Sequence, residues 1–287
     1  MTLAYLFPAL VAVAALVIAG SFHRDLPPRA AAFVLTGAIV AAAATTIWSI
    51  ALLAADFLLD RFGWCRETLH GHVHVPALLG VAALVTVACG AMSVTRSLSR
   101  HRRARRGPIP DGDLYVIQSE SPTAFAVPGR HPHVVVSTGM LDLLDADEQR
   151  AMLAHERAHL RHRHHRLIVA TEVAASMLPP LWLPARRVRF ATERWADQDA
   201  AREVGDANIV ARAIARAALA RSDSFGPELA LYGSDVAARI DALTRDRHRS
   251  HVDTPSLAVG MLVAMSVIAV MAQIHHLLEF GQTFCIS

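Results

Sequence analysis

Four long uncharged runs constrain this chain more than any other feature of its sequence. They extend from Met1 to Phe22, Ala30 to Ala55, Val75 to Thr95 and Thr254 to Leu278. Each could form a helix of the roughly 20 residues needed to cross a bilayer core. Of the 287 residues, 53% are hydrophobic, which excludes a disordered or fibrous chain. We therefore expect an α-helical multi-pass membrane protein with four transmembrane helices.

The first run could instead be a cleaved signal peptide. Such a leader carries basic residues before its apolar segment, and here the first basic side chain of the Lys/Arg type is Arg24, which follows the run. We therefore predict that the first run is retained as a membrane anchor.

The arginines predict how these helices are oriented. The chain has no lysine, so its 28 Lys and Arg residues are all arginine, and they cluster after the third run, at 96–106, and before the fourth, at 245–249. Short cytoplasmic loops carry such positive charge. We expect a cytoplasmic domain between these two ends and both termini outside the cell membrane. A nucleic-acid patch is an alternative, but stop-transfer and contact with anionic lipid explain the same arginines, so we expect no direct nucleic-acid contact.

The three cysteines are too few for a cysteine-based metal site, so a metal would need histidine and carboxylate ligands. Cys65 and Cys285 fall on the same predicted outer face, where a disulfide between them is a hypothesis; Cys89 lies within a span and is expected only to pack. Three outer-loop histidines could bind a metal weakly, although a solvated loop is favoured: His70, His72 and His74.

The boundaries of the expected regions follow from these patterns. They are a three-helix membrane region (1–95), a basic linker (96–113), a soluble domain (114–253), a fourth transmembrane helix (254–278) and a short outer tail (279–287). Three β-rich segments open the soluble domain, namely Leu114–Gln118, Ala124–Val127 and His133–Ser137. Pro128 and Gly129 predict a hairpin-like turn between the last two.

Helical patterns follow the strands, so the domain is expected to be α+β. Asp145 and Glu148 form a capping-box signal for a helix from about Ala146 past His162. Further helices are expected over Arg187–Val204 and Ala207–Ala220. The apolar segment Leu167–Pro184 contains Glu172 and three prolines, so a buried or interfacial helix that ends at the prolines is favoured over a full membrane crossing.

The motif HERAH, residues 155–159, lies inside the capped helix. Residues four apart share a helix face, so His155 and His159 can converge on one ion. Glu156, one position further round the helix, can reach a water bound to that ion. This spacing is typical of a zinc-dependent hydrolase.

A third ligand is predicted in the segment ERWAD. Glu193 follows His159 by 34 residues, and Asp197 lies one helical turn later, where it can orient a ligand imidazole. The alternative is that both segments are solvated helix faces, which leaves their coincidence unexplained. We expect the remaining histidines of this stretch to be juxtamembrane or rim residues, with transition-state contacts as the alternative: His162, His164 and His165.

The run from SPTAFAVPGRHPHVVVSTGMLDLLDADEQRAMLAHERAHLRHRHH through ERWADQDAA resembles membrane metallopeptidases of the BlaR/MecR antirepressor type, with kinship to HtpX-type and CAAX prenyl proteases. The resemblance covers about residues 112–203. It implies a cytoplasmic gluzincin domain with one Zn²⁺ bound by His155, His159 and Glu193, and Glu156 as general base. Sensors of this type continue into a large penicillin-binding domain, and only residues 279–287 follow here, so we expect a sensorless member.

The resemblance implies a zinc metalloendopeptidase that acts on a cytoplasmic or membrane protein. Expected partners are a protein substrate and the bilayer; a cytoplasmic repressor protein and a homodimer are left open. Either Ala124–Val127 or His133–Val136 could offer a free edge to an extended substrate. Tyr232, His162 or an arginine could stabilise the oxyanion. The alternatives are a quality-control protease for membrane proteins and a non-proteolytic signalling protein with structural zinc.

Overall fold

The fold is mostly helical. The computed structural model describes residues 26–62, 76–104, 112–222 and 229–245, together with the isolated residues 13, 14, 16, 17, 260, 264, 267, 268 and 271. The α-helices of these ranges are α1 (Pro28–Phe62), α2 (Ala77–Ala104), α3 (Thr138–Leu143), α4 (Ala146–Arg161), α5 (His164–Met177), α6 (Trp182–Val204), α7 (Ala207–Ser222) and α8 (Leu229–Arg245). A 3₁₀ helix, Pro179–Leu181, connects α5 to α6.

Two of the predicted membrane helices fall within the described residues. Pro28–Ala55 of α1 and Ala77–Arg100 of α2 are long and apolar enough to cross a membrane. The first and fourth predicted spans fall almost wholly outside the described residues, as do Cys65, Cys285 and the outer-loop histidines. Cys89 is a free, exposed cysteine of α2. Helix α2 continues through the first part of the predicted linker, to Ala104.

Helices α1 and α2 pack closely against each other. A Cβ atom added to Gly80 would lie 2.1 Å from the Phe57 ring, so only glycine permits this approach. Further along, a Cβ at Gly90 would lie 4.0 Å from Ile47. Small residues at such crossings are typical of membrane helices, where backbones meet closely.

The sheet has three strands, β1 (Leu114–Ile117), β2 (Ala124–Val127) and β3 (His133–Ser137), in the order β1-β3-β2. Strand β2 pairs antiparallel with β3, which confirms the hairpin-like arrangement, and β1 pairs parallel with β3. Every residue of β3 is buried. Because β3 is paired on both sides, the expectation that His133–Val136 could be a free edge is wrong.

Helix α4 begins as the sequence predicts. The Asp145 carboxylate accepts from the backbone N–H groups of Asp147 and Glu148, and the Glu148 side chain accepts from the backbone of Asp145, which completes a capping box. Such a cap stabilises a helix by about 1 kcal/mol. The helix ends at Arg161, and Arg163 then adopts a left-handed conformation with φ of 53°. This turn directs the chain back into α5.

The segment Leu167–Pro184 forms a helical hairpin. Helix α5 ends at Met177, before Pro179, as predicted, and α6 begins at Trp182, five residues earlier than expected. Proline at the first positions of a helix is tolerated because those N–H groups have no partner within the helix, which explains Pro184 in the first turn of α6. Within the described residues, this segment is not among the helices long enough to cross a membrane.

The first half of α1 packs against this hairpin. One buried cluster joins Leu35, Ala38, Ile39 and Ala43 of α1 to Ala174, Leu181 and Val188. A second joins Leu26, Ala31 and Ala32 to Ala191 and Trp195 of α6. The apolar helices and the domain that carries the HERAH motif therefore share a core.

Candidate metal centre

Helix α4 carries both histidines of the HERAH motif on one face. The Nε2 atoms of His155 and His159 lie 3.1 Å apart, and their side chains are only 13% and 15% exposed. The spacing of four residues produces this convergence, because successive turns of an α-helix place such side chains one above the other. The two imidazoles therefore face a common point, as expected from the sequence.

Helix α6 brings Glu193 to the same point. Its carboxylate oxygens lie 3.5 Å from Nε2 of His155 and 3.5 Å from Nε2 of His159. Contacts between α4 and α6 are the most extensive between any two of the described elements. The glutamate that the sequence singled out is thus brought to the histidines by the packing of two helices.

The three side chains fit a zinc ion. Their donor atoms lie within 4.8 Å of one another. Tetrahedral zinc with ligands at about 2.0–2.1 Å requires donor atoms about 3.3 Å apart. The 3.1 Å between the two Nε2 atoms is close to that edge length, and each Nε2 lies 3.5 Å from one of the two Glu193 oxygens, Oε2 for His155 and Oε1 for His159. Three protein ligands also leave the fourth position that a catalytic site needs.

Asp197 supports the first histidine. Its Oδ1 atom lies 2.9 Å from Nδ1 of His155, and its side chain is 1% exposed. This contact orients the ring so that Nε2 faces His159 and Glu193. A carboxylate against the outer nitrogen of a ligand histidine commonly orients the ring and increases its basicity. The structure therefore brings Asp197 to the position that the sequence suggested.

His164 contacts the second histidine in the same way. Its Nδ1 atom lies 3.0 Å from Nδ1 of His159, and the residue is fully buried. The expectation that His164 is a rim residue is therefore wrong. The left-handed turn at Arg163 folds α5 back onto α4, and no pattern in the sequence indicates this turn. Nε2 of His164 has no hydrogen-bond partner among the described residues.

Arg239 of α8 is a site residue that the sequence analysis missed. Its Nε and Nη2 atoms donate to the two oxygens of Asp197 at 2.8 and 2.7 Å. Its Nη1 atom lies 3.1 Å from Glu193 Oε2. Arg239 is 42 residues from Asp197 and lies among other arginines, so only the tertiary fold distinguishes it.

The charges of these groups are strongly coupled. Burial opposes protonation of His155, but the carboxylates of Asp197 and Glu193 raise its pKa to about 10. Burial and the positive charge of His155 lower the pKa of His159 to about 4. Although burial opposes ionisation of Glu193, its contacts with His155 and Arg239 hold its pKa well below the usual range. Without a metal, the group therefore holds a proton on His155 between two ionised carboxylates.

Glu156 lies on α4 between the two ligand histidines and is partly exposed. Burial lowers the pKa of Arg239, but the negative charges of Asp197, Glu193 and Glu156 raise it. The Glu156 carboxylate therefore acts in the same electrostatic field as the candidate metal ligands.

His162 lies beside His164, with ring centroids 5.6 Å apart, and its other contacts among the described residues are with side chains that are not candidate ligands. It pairs with Asp199, and its ring stacks on Trp195 with centroids 4.3 Å apart. Trp195 also contacts Phe33 of α1, with ring centroids 5.8 Å apart. Asp199 and Trp195 therefore hold the His162 ring, and its role as an oxyanion donor stays a prediction. The side chain of Tyr232, the other named candidate, lies outside the described residues.

Comparisons with known proteins agree with this geometry. The family model of Peptidase family M48, a family of zinc metalloproteases, matches residues 92–258. The protease HtpX homolog of Methylibium petroleiphilum is 28% identical over 155 residues, covering 50% of this chain and 53% of the relative. The homolog of Aquifex aeolicus is 37% identical over 91 residues, covering 31% of this chain and 29% of the relative.

The chain spans about half the length, or less, of the curated relatives it matches. No solved structure matches it. The family match covers more than half of the chain, including α4 and α6, the two helices that present His155, His159 and Glu193. On that ground the chain belongs to Peptidase family M48.

Proposed function

We propose that this chain is a membrane-anchored zinc endopeptidase that hydrolyses peptide bonds of a cytoplasmic or membrane protein. The observation that carries the proposal is the convergence of His155, His159 and Glu193, whose donor atoms lie within 4.8 Å of one another, as the ligands of one zinc must. Family membership supports the same activity. In this proposal, residues 114–253 form an α+β gluzincin domain.

His155, His159 and Glu193 would hold the metal, and Asp197, His164 and Arg239 would orient those ligands. When bound, zinc lowers the pKa of a coordinated water and polarises the scissile carbonyl. Glu193 is the most exposed of the three ligands, with a side chain 34% accessible, so a substrate can approach from its side.

Glu156 acts as the general base in this mechanism. Its carboxylate takes a proton from the attacking water and delivers that proton to the leaving amine, so the carboxylate is regenerated at the end of each turnover. The negative charge of Glu156 helps to raise the pKa of Arg239, so the carboxylate and the guanidinium attract each other across the site.

Strand β2 is the proposed substrate edge. It is an outer strand of the sheet, and it packs against α4, whereas β3 is central. An extended substrate could pair with β2 and lie along the helix that carries His155 and His159. Phe125 of β2 is 44% exposed and could contact a substrate side chain.

The proposed topology has four transmembrane helices, a cytoplasmic catalytic domain and both termini outside. Two contacts support it. The N-terminal end of α1 packs on Trp195 of α6, and the C-terminal part of α2 shares a cavity with Ser176 of α5. Those two helix ends therefore lie on the side of the catalytic domain, as the arginine clusters require.

Two substrate classes remain in this proposal. The BlaR/MecR resemblance favours a single cytoplasmic repressor, whereas a quality-control protease would cleave many damaged membrane proteins. A substrate-trapping experiment separates them: the Glu156→Gln variant is expected to retain zinc and lose cleavage, and proteins bound to it in membranes are identified by mass spectrometry. One dominant protein indicates the repressor class, and many unrelated membrane proteins indicate quality control.

Glu203→Gln is the matched control, since Glu203 is an exposed glutamate of α6 that pairs with Arg161. It should cleave like the wild type. Glu193→Ala should lose zinc as well as cleavage. Wild-type turnover by Glu156→Gln would refute the catalytic assignment of Glu156. Absence of chelator-sensitive cleavage by the wild type itself would instead favour structural zinc in a non-proteolytic protein.

A further inference from the structure

The connection between α5 and α6 exposes large apolar side chains at its turn. We define the hairpin tip as Pro179–Leu183. Both prolines are exposed, and the side chains of Trp182 and Leu183 are 51% and 55% accessible. Exposed apolar residues that are adjacent at a tip, unlike scattered ones, indicate a surface that is covered by something else.

The hairpin carries little charge that would keep its tip in water. Between Glu172 and Arg186 the sequence has no charged residue. Glu172 of α5 pairs with Arg189 of α6, so its negative charge is balanced by a neighbouring positive charge. Pairing of this kind reduces the cost of moving a carboxylate toward a less polar medium.

The tip lies at a defined level along the two apolar helices. Phe57 of α1 is level with Gly80 of α2, and Ile47 is level with Gly90, so the two helices are antiparallel. The same register places Ala41 level with Arg96. Leu181 belongs to the buried cluster that contains Ala43, and Ser176 shares a cavity with Arg96 and Arg100. The tip is therefore level with the point where the uncharged run of α2 gives way to arginine.

Arginines surround the base of the tip. Arg186, Arg187 and Arg189 are exposed on the first turns of α6, and the guanidinium of Arg186 lies 5.7 Å from the centroid of the Trp182 ring. Arg189 pairs with Glu172 and Arg186 lies 3.9 Å from Asp235, so the three arginines and these two acids together keep a net positive charge. Tryptophan is enriched at membrane interfaces, and arginines beside it suit anionic headgroups. The apolar tip and its basic collar have the charge distribution of an interfacial anchor.

We propose that the hairpin tip inserts into the headgroup region of the bilayer, on the side where α2 leaves it. This rests on the proposed membrane insertion of α1 and α2 and does not depend on proteolysis. Val40 of α1 is 41% exposed at the same level, so a bilayer that covers it also reaches the tip. The first turns of α1 then lie outside the bilayer, where their small residues pack on α6 instead of lipid.

The test measures the depth of the tip in the full-length chain. Cys65, Cys89 and Cys285 are replaced by serine, and Leu183→Cys is labelled with an environment-sensitive fluorophore. The protein is placed in nanodiscs of phosphatidylcholine and phosphatidylglycerol, one copy per disc, with spin-labelled lipids as quenchers. An exposed control, Arg150→Cys, lies on α4 with a side chain 71% accessible. A membrane control, Leu78→Cys, lies on α2 at 82% exposure.

The proposal expects quenching at position 183 to be several-fold stronger than at position 150, with a depth of about 5–10 Å into the interface. Trp182→Cys, a second exposed reporter, should give the same result if the first label disturbs the fold. Quenching at both reporters no stronger than at position 150 would overturn the proposal. A label that is shielded from water only in discs with two copies, and that the lipids do not quench, would also overturn it. A second copy of the chain would then cover the tip. Since depth is measured without cleavage, this test and the trapping experiment can fail separately.

Discussion

Arg239 of α8 donates two parallel hydrogen bonds, of 2.8 and 2.7 Å, to the carboxylate of Asp197 of α6. Both side chains are largely buried, and Asp197 in turn contacts His155 at 2.9 Å. A guanidinium that lies two contacts from His155 therefore helps to set the position of this candidate ligand. The predictions below follow from this chain of contacts and from its counterpart at His159.

Replacing Arg239 should destabilise the protein and weaken the site. Arg239→Met removes the paired hydrogen bonds to buried Asp197 and leaves His155 as its remaining partner; loss of one partner of a buried ion pair typically costs about 3–5 kcal/mol. Arg239→Lys should recover little, because an ammonium cannot make the paired contact. Thermal unfolding in detergent and zinc titration measure the two effects. Wild-type stability and zinc affinity in both variants would contradict the proposed role.

Asp197→Asn should weaken zinc binding by about 10–100-fold, as is typical for loss of a carboxylate behind a ligand histidine. The amide keeps the size of the side chain but removes its charge. Asp199→Asn is the matched control on the same helix, because Asp199 contacts His162 and Arg202 instead of a candidate ligand. Competition with a chelator gives both affinities. Equal losses in the two variants would point to a general effect of buried charge.

His164 should be replaceable by aspartate but not by alanine. His164→Ala removes the contact with Nδ1 of His159, so zinc affinity should fall by about tenfold or more. In His164→Asp, a carboxylate oxygen sits at the same number of bonds from Cβ as Nδ1 does, so it can accept from His159 and restore affinity. The unpaired Nε2 of His164 is also removed. If alanine binds zinc as tightly as histidine, His164 is only a packing residue.

Zinc binding should release about one proton near neutral pH. The neighbouring carboxylates, acting against burial, raise the pKa of His155 to about 10 in the metal-free protein, so this histidine is protonated at pH 7. His159, with a pKa near 4, is already neutral. The metal must displace the proton from His155, so affinity should rise about tenfold per pH unit between pH 6 and 8.

Calorimetry in buffers of different ionisation enthalpy measures this proton. Asp197→Asn, which removes one of the two carboxylates that favour the proton, should reduce its release at pH 7. An affinity that does not change with pH would show that His155 is neutral before the metal binds.

Arg163→Gly should raise stability by about 1 kcal/mol. Arg163 has φ of 53°, a left-handed conformation that costs a side-chain-bearing residue about 1–2 kcal/mol and glycine much less. Arg163→Val should have the opposite effect, since β-branched residues fit this region poorly. Thermal unfolding in detergent checks both. Two variants that are equally stable would mean that the turn relaxes to another conformation.

Much of the local structure could be predicted from the sequence because the relevant interactions span few residues. The capping box at Asp145 and Glu148, the strands Ala124–Val127 and His133–Ser137, and the end of α5 before Pro179 each depend on neighbours in the chain. The uncharged runs of α1 and α2 likewise indicate helices long enough for a membrane.

For the candidate site, the sequence by itself determined which side chains could bind a metal. The HERAH spacing places His155 and His159 on one helix face, and the spacing of Glu193 and Asp197 does the same on α6, since helical periodicity alone aligns them. The sequence could not show that His164 folds back onto His159, because this contact depends on the left-handed conformation of Arg163. Nor could it distinguish Arg239 from the other arginines of the chain.

Only the tertiary structure decided these two contacts, and it also made β3 the central strand of the sheet. The physical reason is that hydrogen bonds between distant residues depend on how helices and strands pack. Arg239 reaches Asp197 across 42 positions because α8 lies against α6. Periodicity specifies the face that a side chain occupies, whereas packing specifies what that face meets.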